Sequence, residues 1–443
     1  MLHSPDRRAR RAALSSVAAI GARLGAAATS IITVPVLLTY LGLERYGLWV
    51  TAAAVTAWIG IGHLGIAPSL LNRLAATEPA DHGRRAAVVA SAWWLSVLLG
   101  AGAVFLLVLA DAAGVWGAVF NVQVGPLPGE ARAIAIVMWI GVAASMPLAV
   151  PLTVVRADQA GYYASITELV ANLARLVAIV AAVLLDVGIG GVAASAVASS
   201  VLVSAAAGML VFGRRVAWPR PSFASRRTAR SLVATGIGFT GMALAGLLIS
   251  STDVIVITQV LGPASVPPYA VAFALLALFV SLEMAVLDSM WPAYAEAAAR
   301  GDRHWVRVAN RNITGLLVAA SATFSVGLVL VGGEFIRLWA GPEAVPPPWL
   351  LVTLAGIAMI QSILLPHGRA LTALGHVRRN TMLSLTGAAI NLPVSIVLAG
   401  ILGITGVALG TLAAYLVTGV FVVRSARQAI ARVGLSTLAT APR

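Results

Sequence analysis

Long apolar runs separated by short polar gaps dominate the sequence. A helix needs about 20 mostly apolar residues to cross a bilayer, and its backbone groups must be hydrogen-bonded internally. No segment shows the short alternating pattern of a membrane β-barrel. The pattern therefore predicts an all-α polytopic membrane protein with about twelve transmembrane helices. These cover residues 13–40, 46–70, 86–111, 131–155, 161–185, 189–212, 229–260, 267–292, 305–331, 348–370, 378–401 and 405–424.

The polar gap between the first two runs recurs half a chain later. Val36–Val50 reads VLLTYLGLERYGLWV, and Val260–Phe273 reads VLGPASVPPYAVAF. Three pairs of glycines recur at similar offsets of 220, 214 and 215 residues: Gly42 with Gly262, Gly161 with Gly375, and Gly191 with Gly406. Parallel repeats are typical of transporters whose lobes rock about a central site.

The repeat predicts two six-helix lobes with a central cavity between them. The first lobe covers residues 1–213 and the second covers residues 229–443. Residues 214–228, which are rich in Arg, Pro and Ser, form the predicted basic cytoplasmic linker. The turn at Gly42 is then the outer turn between the first two helices of a lobe, and the turn at Gly262 is its counterpart.

The amino-acid composition further restricts the class of protein to which the chain can belong. Of the 443 residues, 60% are hydrophobic and only 10% are charged, whereas soluble domains carry about 25% charged residues. The chain has no Cys, which excludes disulfides, Cys-ligated zinc and iron–sulfur clusters. It also lacks a Walker loop, a nucleophile elbow and a metal-binding His cluster. We therefore expect no cofactor, no metal site and no enzymatic activity.

The basic residues predict the orientation of the chain in the membrane. The net charge is +14, and every basic residue other than His is Arg. With a cytoplasmic N-terminus, 25 Arg lie on the cytoplasmic side and three outside, as the positive-inside rule requires. This placement indicates membrane topology and no nucleic-acid partner, and it puts both termini in the cytoplasm. The N-terminus resembles a cleaved signal, but Arg23 interrupts the apolar core and the run continues to Leu41.

A series of short motifs carries a family resemblance. The first lobe has Pro35, Leu41-Gly42, Tyr46-Gly47-Leu48-Trp49, Gly65 and Arg73, and the second has Asp253-Val-Ile-Val, Leu261-Gly262, Tyr269, Trp291-Pro292, Ala373-Leu374-Gly375, Asn391, Gly403, Gly406 and Ala408. Over residues 12 to 425 this order resembles the bacterial polysaccharide flippase family. That family belongs to the multidrug/oligosaccharidyl-lipid/polysaccharide exporter superfamily. Many relatives carry an acid where this chain has His63, so acid-based ion coupling is not expected at that position.

Polar residues inside the predicted spans are candidates for a substrate cavity, since ionisable groups in a bilayer are costly. The candidates are Arg23, His63, Glu168, Asn172, Arg175, Asp253 and Glu283. Arg23 shares a helix face with Ser16 and Ser30, and it either faces a cavity or pairs with an acid. Glu168, Asn172 and Arg175 form a stripe that is either an internal network or a substrate contact. His63 is either a packing residue or a titratable group, and Glu283 could carry a proton.

The resemblance implies a flippase for a polyprenyl-pyrophosphate-linked oligosaccharide in the bacterial inner membrane, working by alternating access. Its expected partners are the lipid-linked substrate, membrane lipids, a polysaccharide polymerase and glycosyltransferases. Arg23 and Arg175 suit the anionic headgroup. A cation-coupled multidrug antiporter of the same superfamily is the alternative, with Asp253 and Glu283 in its cavity. A membrane polymerase or ligase is less favoured, because the chain lacks a large outer loop.

Overall fold

The computed structural model describes residues 5–78, 81–123, 125–214 and 218–433, and within these ranges the regular structure is entirely helical. Four 3-10 turns accompany thirteen α-helices. The helices are α1 (Pro5–Gly60), α2 (Ile66–Ala75), α3 (His82–Ala112), α4 (Trp116–Val119), α5 (Leu127–Ala157), α6 (Gly161–Leu184), α7 (Gly188–Arg214), α8 (Arg226–Ser250), α9 (Thr252–Leu261), α10 (Val266–Ala299), α11 (Arg303–Ala340), α12 (Pro348–Ala373) and α13 (Val377–Arg432).

Ten helical stretches in these ranges are long and apolar enough to cross a membrane. The first and last of them, Gly21–Ala75 and Val377–Arg432, are 55 and 56 residues long. A straight helix of that length would extend about 80 Å, more than twice the thickness of the hydrocarbon core. The protein is therefore a multi-pass helical membrane protein. The number of twelve spans, the lobe repeat and a cavity between the lobes stay predictions.

The last long helix, α13, folds back on itself at Gly403. Gly403 has φ 62°, in the left-handed region that favours glycine. Hydrogen bonds join residues on either side of this point: Ser395 Oγ donates to the Val407 carbonyl at 3.1 Å, and Asn391 Nδ2 donates to Thr411 Oγ1 at 3.2 Å. The two arms of α13 are therefore antiparallel neighbours.

Two predicted helices are interrupted in the structure. The segment predicted over 46–70 stops at Gly60 and resumes at Ile66, because Leu64 (φ 48°) and Gly65 (φ 61°) adopt left-handed conformations. The segment predicted over 229–260 is interrupted at Ser251, between α8 and α9. Both interruptions lie next to a candidate site residue, His63 and Asp253 respectively.

The turns at Gly42 and Gly262 share a backbone conformation. Gly42 has φ 69° and ψ 176°, and Gly262 has φ 90° and ψ 160°. Gly341 adopts nearly the same angles at the end of α11 without belonging to a predicted pair. This geometry therefore identifies a recurring turn that needs glycine, and by itself it does not decide the repeat.

The chain divides into two compact units, Met1–Leu244 and Ala245–Arg443. The division lies within α8, whereas the predicted linker 214–228 ends in the first turn of that helix and includes residues outside the described ranges. In the first unit, Leu232 of α8 packs in a buried cluster with Ile66, Leu70, Val89 and Phe212. The start of α8 is thus part of the core of the first unit.

Close backbone contact holds α8 against the interruption after α1. A Cβ on Gly65 would overlap the carbonyl oxygen of Gly236, and a Cβ on Gly236 would overlap the carbonyl oxygen of Leu64. Only glycine fits at these two positions without a shift of the backbone. In the second unit, a buried cluster of Tyr294, Val306, Ala370 and Ile430 joins α10, α11, α12 and α13.

Candidate functional site

A cavity of about 670 Å³ lies within the first unit, bounded by residues of α1, α5, α6 and α7. Its apolar walls include Trp49, Met138, Leu148, Leu152, Val197 and Val201. The polar side chains in the lining are those of Thr56, His63, Ser145, Arg175, Ser200 and Ser204. We call this space the first-unit cavity. Apolar walls with a few polar groups are typical of a ligand site.

Glycine and proline on α5 shape one wall of the cavity. A Cβ on Gly141 would lie 2.6 Å from Cγ1 of Val197, so glycine allows α5 and α7 to approach closely. Pro147 and Pro151 lie inside α5, as the sequence predicts, and each removes one backbone hydrogen bond of the helix. The helix that forms this wall therefore lacks two of its backbone hydrogen bonds.

Arg175 supplies a permanent positive charge to the first-unit cavity. Among the residues that the structure describes, no Asp or Glu lines this space. The Arg175 guanidinium donates a hydrogen bond from Nη2 to Oδ1 of Asn172 at 3.1 Å. An arginine carries five N–H donors in a planar fork that matches carboxylate and phosphate oxygens. The cavity therefore suits an anionic group.

The predicted polar stripe on α6 is only partly a network. Asn172 and Arg175 are hydrogen-bonded to each other, but Glu168 forms an ion pair with Arg156 of α5. Glu168 and Arg156 are both exposed, with 48% and 43% of their side chains accessible. The Glu168 carboxylate is therefore engaged outside the cavity and leaves the charge of Arg175 uncompensated by it.

His63 lies at the interruption between α1 and α2 and also lines the first-unit cavity. Its Nε2 is buried and has no hydrogen-bond partner among the described residues. A buried polar nitrogen without a partner costs free energy, which a bound donor or acceptor would recover. The sequence reading that treats His63 as a packing residue does not account for this nitrogen.

Arg23 has a different position. It is exposed on α1 and is not among the residues that line the first-unit cavity. Ser30, on the same predicted face, is also exposed, and the side chain of Ser16 lies outside the described residues. A role for Arg23 in a cavity stays a prediction.

The second unit contains a buried carboxylate, Asp253, near the start of α9. Only 2% of its surface is accessible. Its Oδ2 accepts hydrogen bonds from the Tyr269 hydroxyl at 2.6 Å and from the Thr411 hydroxyl at 2.9 Å. Its Oδ1 is buried without a partner among the described residues. A buried charged oxygen is costly unless a proton or another cation compensates it.

Further oxygens surround Asp253 through a chain of hydrogen bonds. Thr411 accepts from Asn391 at 3.2 Å, and the Oδ1 of Asn391 accepts from Ser395 at 2.5 Å. Hydroxyl, amide and carboxylate oxygens are the ligands that hard cations prefer. Tyr269 belongs to α10 and the other three residues to α13, so the fold brings together groups that lie far apart in the sequence.

Glu283 is a second buried carboxylate, on α10. It is 2% accessible, and its Oε1 accepts a hydrogen bond from Ser362 of α12 at 2.5 Å. Its Oε2 has no partner in the described part of the chain. Asp288, one turn further along α10, is instead half exposed and pairs with Arg369 at 3.1 Å. Glu283 and Asp253 share no hydrogen-bonded residue in the described contacts, so they are two separate acidic sites.

The sequence did not single out the hydroxyl groups of these sites. Thr56, Ser145 and Ser200 line the first-unit cavity, and Ser362 and Thr411 contact the buried carboxylates. Ser and Thr occur throughout the spans, so their presence alone selects none of them. Asn391 pairs with Thr411, and Ser395 pairs with Val407, across the turn at Gly403. A turn predicted at Gly403 would have indicated these contacts.

Comparison with known protein families identifies the family of this chain. The profile of the family described as "Polysaccharide biosynthesis protein" matches residues 16–297, more than half of the chain. The chain belongs to this polysaccharide biosynthesis family. The resemblance drawn from the motifs is therefore confirmed, and the sites above are those of a member of this family.

A curated relative of this family member is the probable low-salt glycan biosynthesis flippase Agl15 of Haloferax volcanii. The two chains are 26% identical over 237 residues, which is 50% of this chain and 48% of the relative. The chain thus spans about half the length of the curated relative it matches.

Solved structures agree on the fold of this polysaccharide biosynthesis protein. An inward-facing multidrug resistance MATE family transporter of the MOP superfamily matches 92% of this chain and 98% of its own, with a TM-score of 0.72 and 16% identity. The lipid II flippase MurJ, in an inward closed conformation, matches 96% and 90%, with a TM-score of 0.72 and 12% identity. Identities this low show the fold alone. The family match and the apolar helices together describe a multi-pass membrane protein of the polysaccharide biosynthesis family.

Proposed function

We propose that the protein flips a polyprenyl-pyrophosphate-linked oligosaccharide across the bacterial inner membrane by alternating access. Both termini would lie in the cytoplasm, and the translocated unit would pass to a polysaccharide polymerase. Glycosyltransferases would supply the substrate on the cytoplasmic side. The twelve spans and two lobes expected from the sequence would form the moving parts.

The observation that carries this proposal is the charge of the first-unit cavity. Arg175 provides a cation, the described lining has no carboxylate, and three helices contribute hydroxyl groups. An anionic pyrophosphate with an attached sugar needs the same combination of a guanidinium fork and hydrogen-bonding groups. A cavity of about 670 Å³ fits the linker and its first sugar, while the rest of the glycan and the lipid tail would lie outside.

The proposal is tested with variants in a strain that lacks the chromosomal copy. Arg175→Ala should lower export about 10- to 150-fold, because a hydrogen bond to a charged group contributes roughly 1.5–3 kcal/mol. Lipid-linked intermediates, identified by mass, should accumulate. Arg175→Lys should retain part of the activity, since the charge remains while the fork is lost.

Arg156→Ala is the matched control. It removes an exposed arginine of the same unit that is paired with Glu168 and does not line the cavity. This variant should export normally. Full export by Arg175→Ala at normal membrane abundance would contradict the proposed anion contact.

The cation-coupled multidrug antiporter remains the second candidate, because the second unit buries Asp253 and Glu283 with one oxygen of each unpartnered among the described residues. Such carboxylates suit the uptake of a proton or Na⁺. Purified protein in vesicles distinguishes the candidates. Proton or Na⁺ flux driven by a small cationic drug supports the antiporter, and flux driven only by a lipid-linked oligosaccharide supports the flippase.

A further inference from the structure

The second unit contains a basic cavity of about 590 Å³ that the proposed function does not use. It lies among the first turns of α11 and the last turns of α12 and α13. Three arginines line it, Arg307, Arg311 and Arg427, and His367, Asn310 and Thr314 complete the polar part of the lining. We call this space the arginine cavity. Arg307 and Arg311 are four residues apart and therefore share one face of α11.

No carboxylate balances the charge of the arginine cavity in the part of the chain that the structure describes. No Asp or Glu belongs to the described lining. The ion pairs described in the second unit involve other arginines: Arg300 with Glu296, Arg337 with Glu334, and Arg369 with Asp288. Three like charges around one space repel each other, and this arrangement is stable when an external anion neutralises them.

The neutral residues of the cavity add hydrogen-bonding groups that are held in place. Asn310 is 5% accessible, and its Oδ1 accepts from the Tyr294 hydroxyl at 3.4 Å, which leaves the amide N–H groups as donors. The ring Nδ1 of His367 donates to the Ile363 carbonyl at 2.7 Å, so Nε2 donates to an anion when the ring is protonated. Several fixed donors beside guanidinium groups are the features of a phosphate site.

The surroundings of the cavity are those of a lipid. Leu416 and Val420 on α13 are 53% and 49% accessible, and both lie on the same face of the helix as the cavity-lining Arg427. Val420 precedes Arg427 by seven residues, about 10 Å along the helix. Exposed apolar side chains on a membrane-spanning helix contact acyl chains. A ligand with a charged head and an apolar tail matches this order of groups, whereas a free anion would use only the head site.

We propose that the arginine cavity binds the phosphate of an anionic phospholipid headgroup, with the acyl chains along Leu416 and Val420. Basic pockets between membrane helices are a known solution for anionic headgroups. The positive-inside prediction places this end of the helices on the cytoplasmic side, where anionic lipids add a negative surface potential. Binding would neutralise the three arginines and stabilise the second unit.

The test measures lipid binding to the full-length protein in neutral detergent by native mass spectrometry. The probes are phosphatidylglycerol, phosphatidylcholine, inorganic phosphate and pyrophosphate. The triple variant Arg307→Gln/Arg311→Gln/Arg427→Gln should bind phosphatidylglycerol on the order of 100-fold more weakly. This figure follows from roughly fivefold, or ~1 kcal/mol, for each basic residue near an anionic headgroup.

The matched control is Arg303→Gln/Arg378→Gln/Arg424→Gln, which removes the same charge from α11 and α13 at exposed positions outside the cavity. It should bind phosphatidylglycerol like the wild type. If the cavity triple variant does not fold, the single variants Arg311→Gln and Arg427→Gln should each lose about fivefold. The readout is binding, so failure of export in other assays does not affect it.

Equal binding of phosphatidylglycerol to the cavity variants and the control would overturn the proposal. So would equal affinity for phosphatidylcholine, because the site would then not read the anionic head. Inorganic phosphate or pyrophosphate that displaces the lipid at similar concentrations would reassign the cavity to a free anion. Selective loss in the cavity variants, with weak displacement by free anions, supports the lipid site.

Discussion

Substitution of Asp253 tests whether the second unit binds a coupling cation. The carboxylate is buried, one oxygen accepts hydrogen bonds from Tyr269 and Thr411, and the other has no partner among the described residues. Asp253→Asn keeps the shape and an acceptor for the two hydroxyls while removing the charge. Asp253→Ala removes the acceptor as well and leaves two buried donors unpaired.

The magnitudes of the two changes differ for a reason that the structure makes explicit. Each buried donor left without an acceptor costs about 1–3 kcal/mol, so Asp253→Ala should destabilise the second unit by about 2–6 kcal/mol. Asp253→Asn should cost less than about 1–2 kcal/mol, because the amide oxygen still accepts. Both variants lose the negative charge, so both should lose the response to a cation.

The assay combines thermal unfolding in detergent with transport in vesicles. The buffer contains choline, which is replaced by the test cation at constant ionic strength. A cation that binds the folded protein stabilises the wild type by RT ln(1 + [L]/Kd), about 2.7 kcal/mol when its concentration is 100 times Kd. Na⁺ is the first cation to test, and a proton is tested by abolishing the proton gradient during transport. Asp253→Asn should fold normally, show no cation-dependent shift in Tm, and lose the dependence of transport on the ion gradient.

One set of results would refute the reasoning. If Asp253→Asn retained both the cation-dependent shift in Tm and wild-type gradient dependence, Asp253 would not be the coupling site. If Asp253→Ala were as stable as the wild type, the two hydroxyl donors would have other acceptors and the stability argument would fail. Glu283→Gln is the comparison variant, because its carboxylate is buried to the same extent but shares no hydrogen-bonded residue with Asp253 in the described contacts.

Three other predictions concern backbone, charge and topology. Gly65→Ala should destabilise the first unit by about 1–3 kcal/mol, because the residue is left-handed and an added Cβ overlaps α8. Gly102→Ala is the control: its Cβ would meet open space, so it should be neutral or stabilising by up to about 1 kcal/mol. Unfolding in detergent measures both changes. Arg23→Ala should stop export at normal abundance if Arg23 contacts substrate, or lose abundance and thermal stability by about 3–5 kcal/mol if it neutralises a buried acid. Tags at residue 222 and at the C-terminus should report the cytoplasm and a tag near residue 120 the outside; any exchange of sides would break the twelve-span prediction.

Apolar run length predicted the helices well because it is a local property. The positions of Pro147 and Pro151 inside α5 also followed from the run that contains them. The interruptions at residues 61–65 and at Ser251 did not, because glycine, serine and threonine also occur inside spans that stay helical, so GIGHLG (60–65) and SSTD (250–253) do not by themselves mark a break. What fixes the first interruption is contact between Gly65 and Gly236, 171 positions later in the chain, and spacing along the chain cannot reveal such a contact.

The candidate sites were predictable only as far as charge is rare in a membrane. Arg175, His63, Asp253 and Glu283 stood out because an ionisable residue in an apolar run is unusual. Their surroundings did not stand out. Thr411, which donates a hydrogen bond to Asp253, lies 158 residues away from it. Glu168 pairs with Arg156 on the neighbouring helix and not with Arg175 on its own helix. The partners of these charged side chains depend on how the helices pack, and helix packing cannot be read from the spacing of residues along the chain.

The first-unit cavity and the two buried acids of the second unit carry opposite charge, and this limits how the two candidate functions can differ. The first-unit cavity contains Arg175 and no described carboxylate, whereas the second unit buries Asp253 and Glu283 with unpartnered oxygens. Buried carboxylates of this kind lower stability, so a carrier that used only substrate binding would gain nothing from keeping them. Both the flippase and the antiporter therefore have a use for the acids of the second unit, as sites for the driving ion. The candidates separate on the first unit, where an arginine without a described carboxylate in its cavity repels a cationic drug and attracts a pyrophosphate.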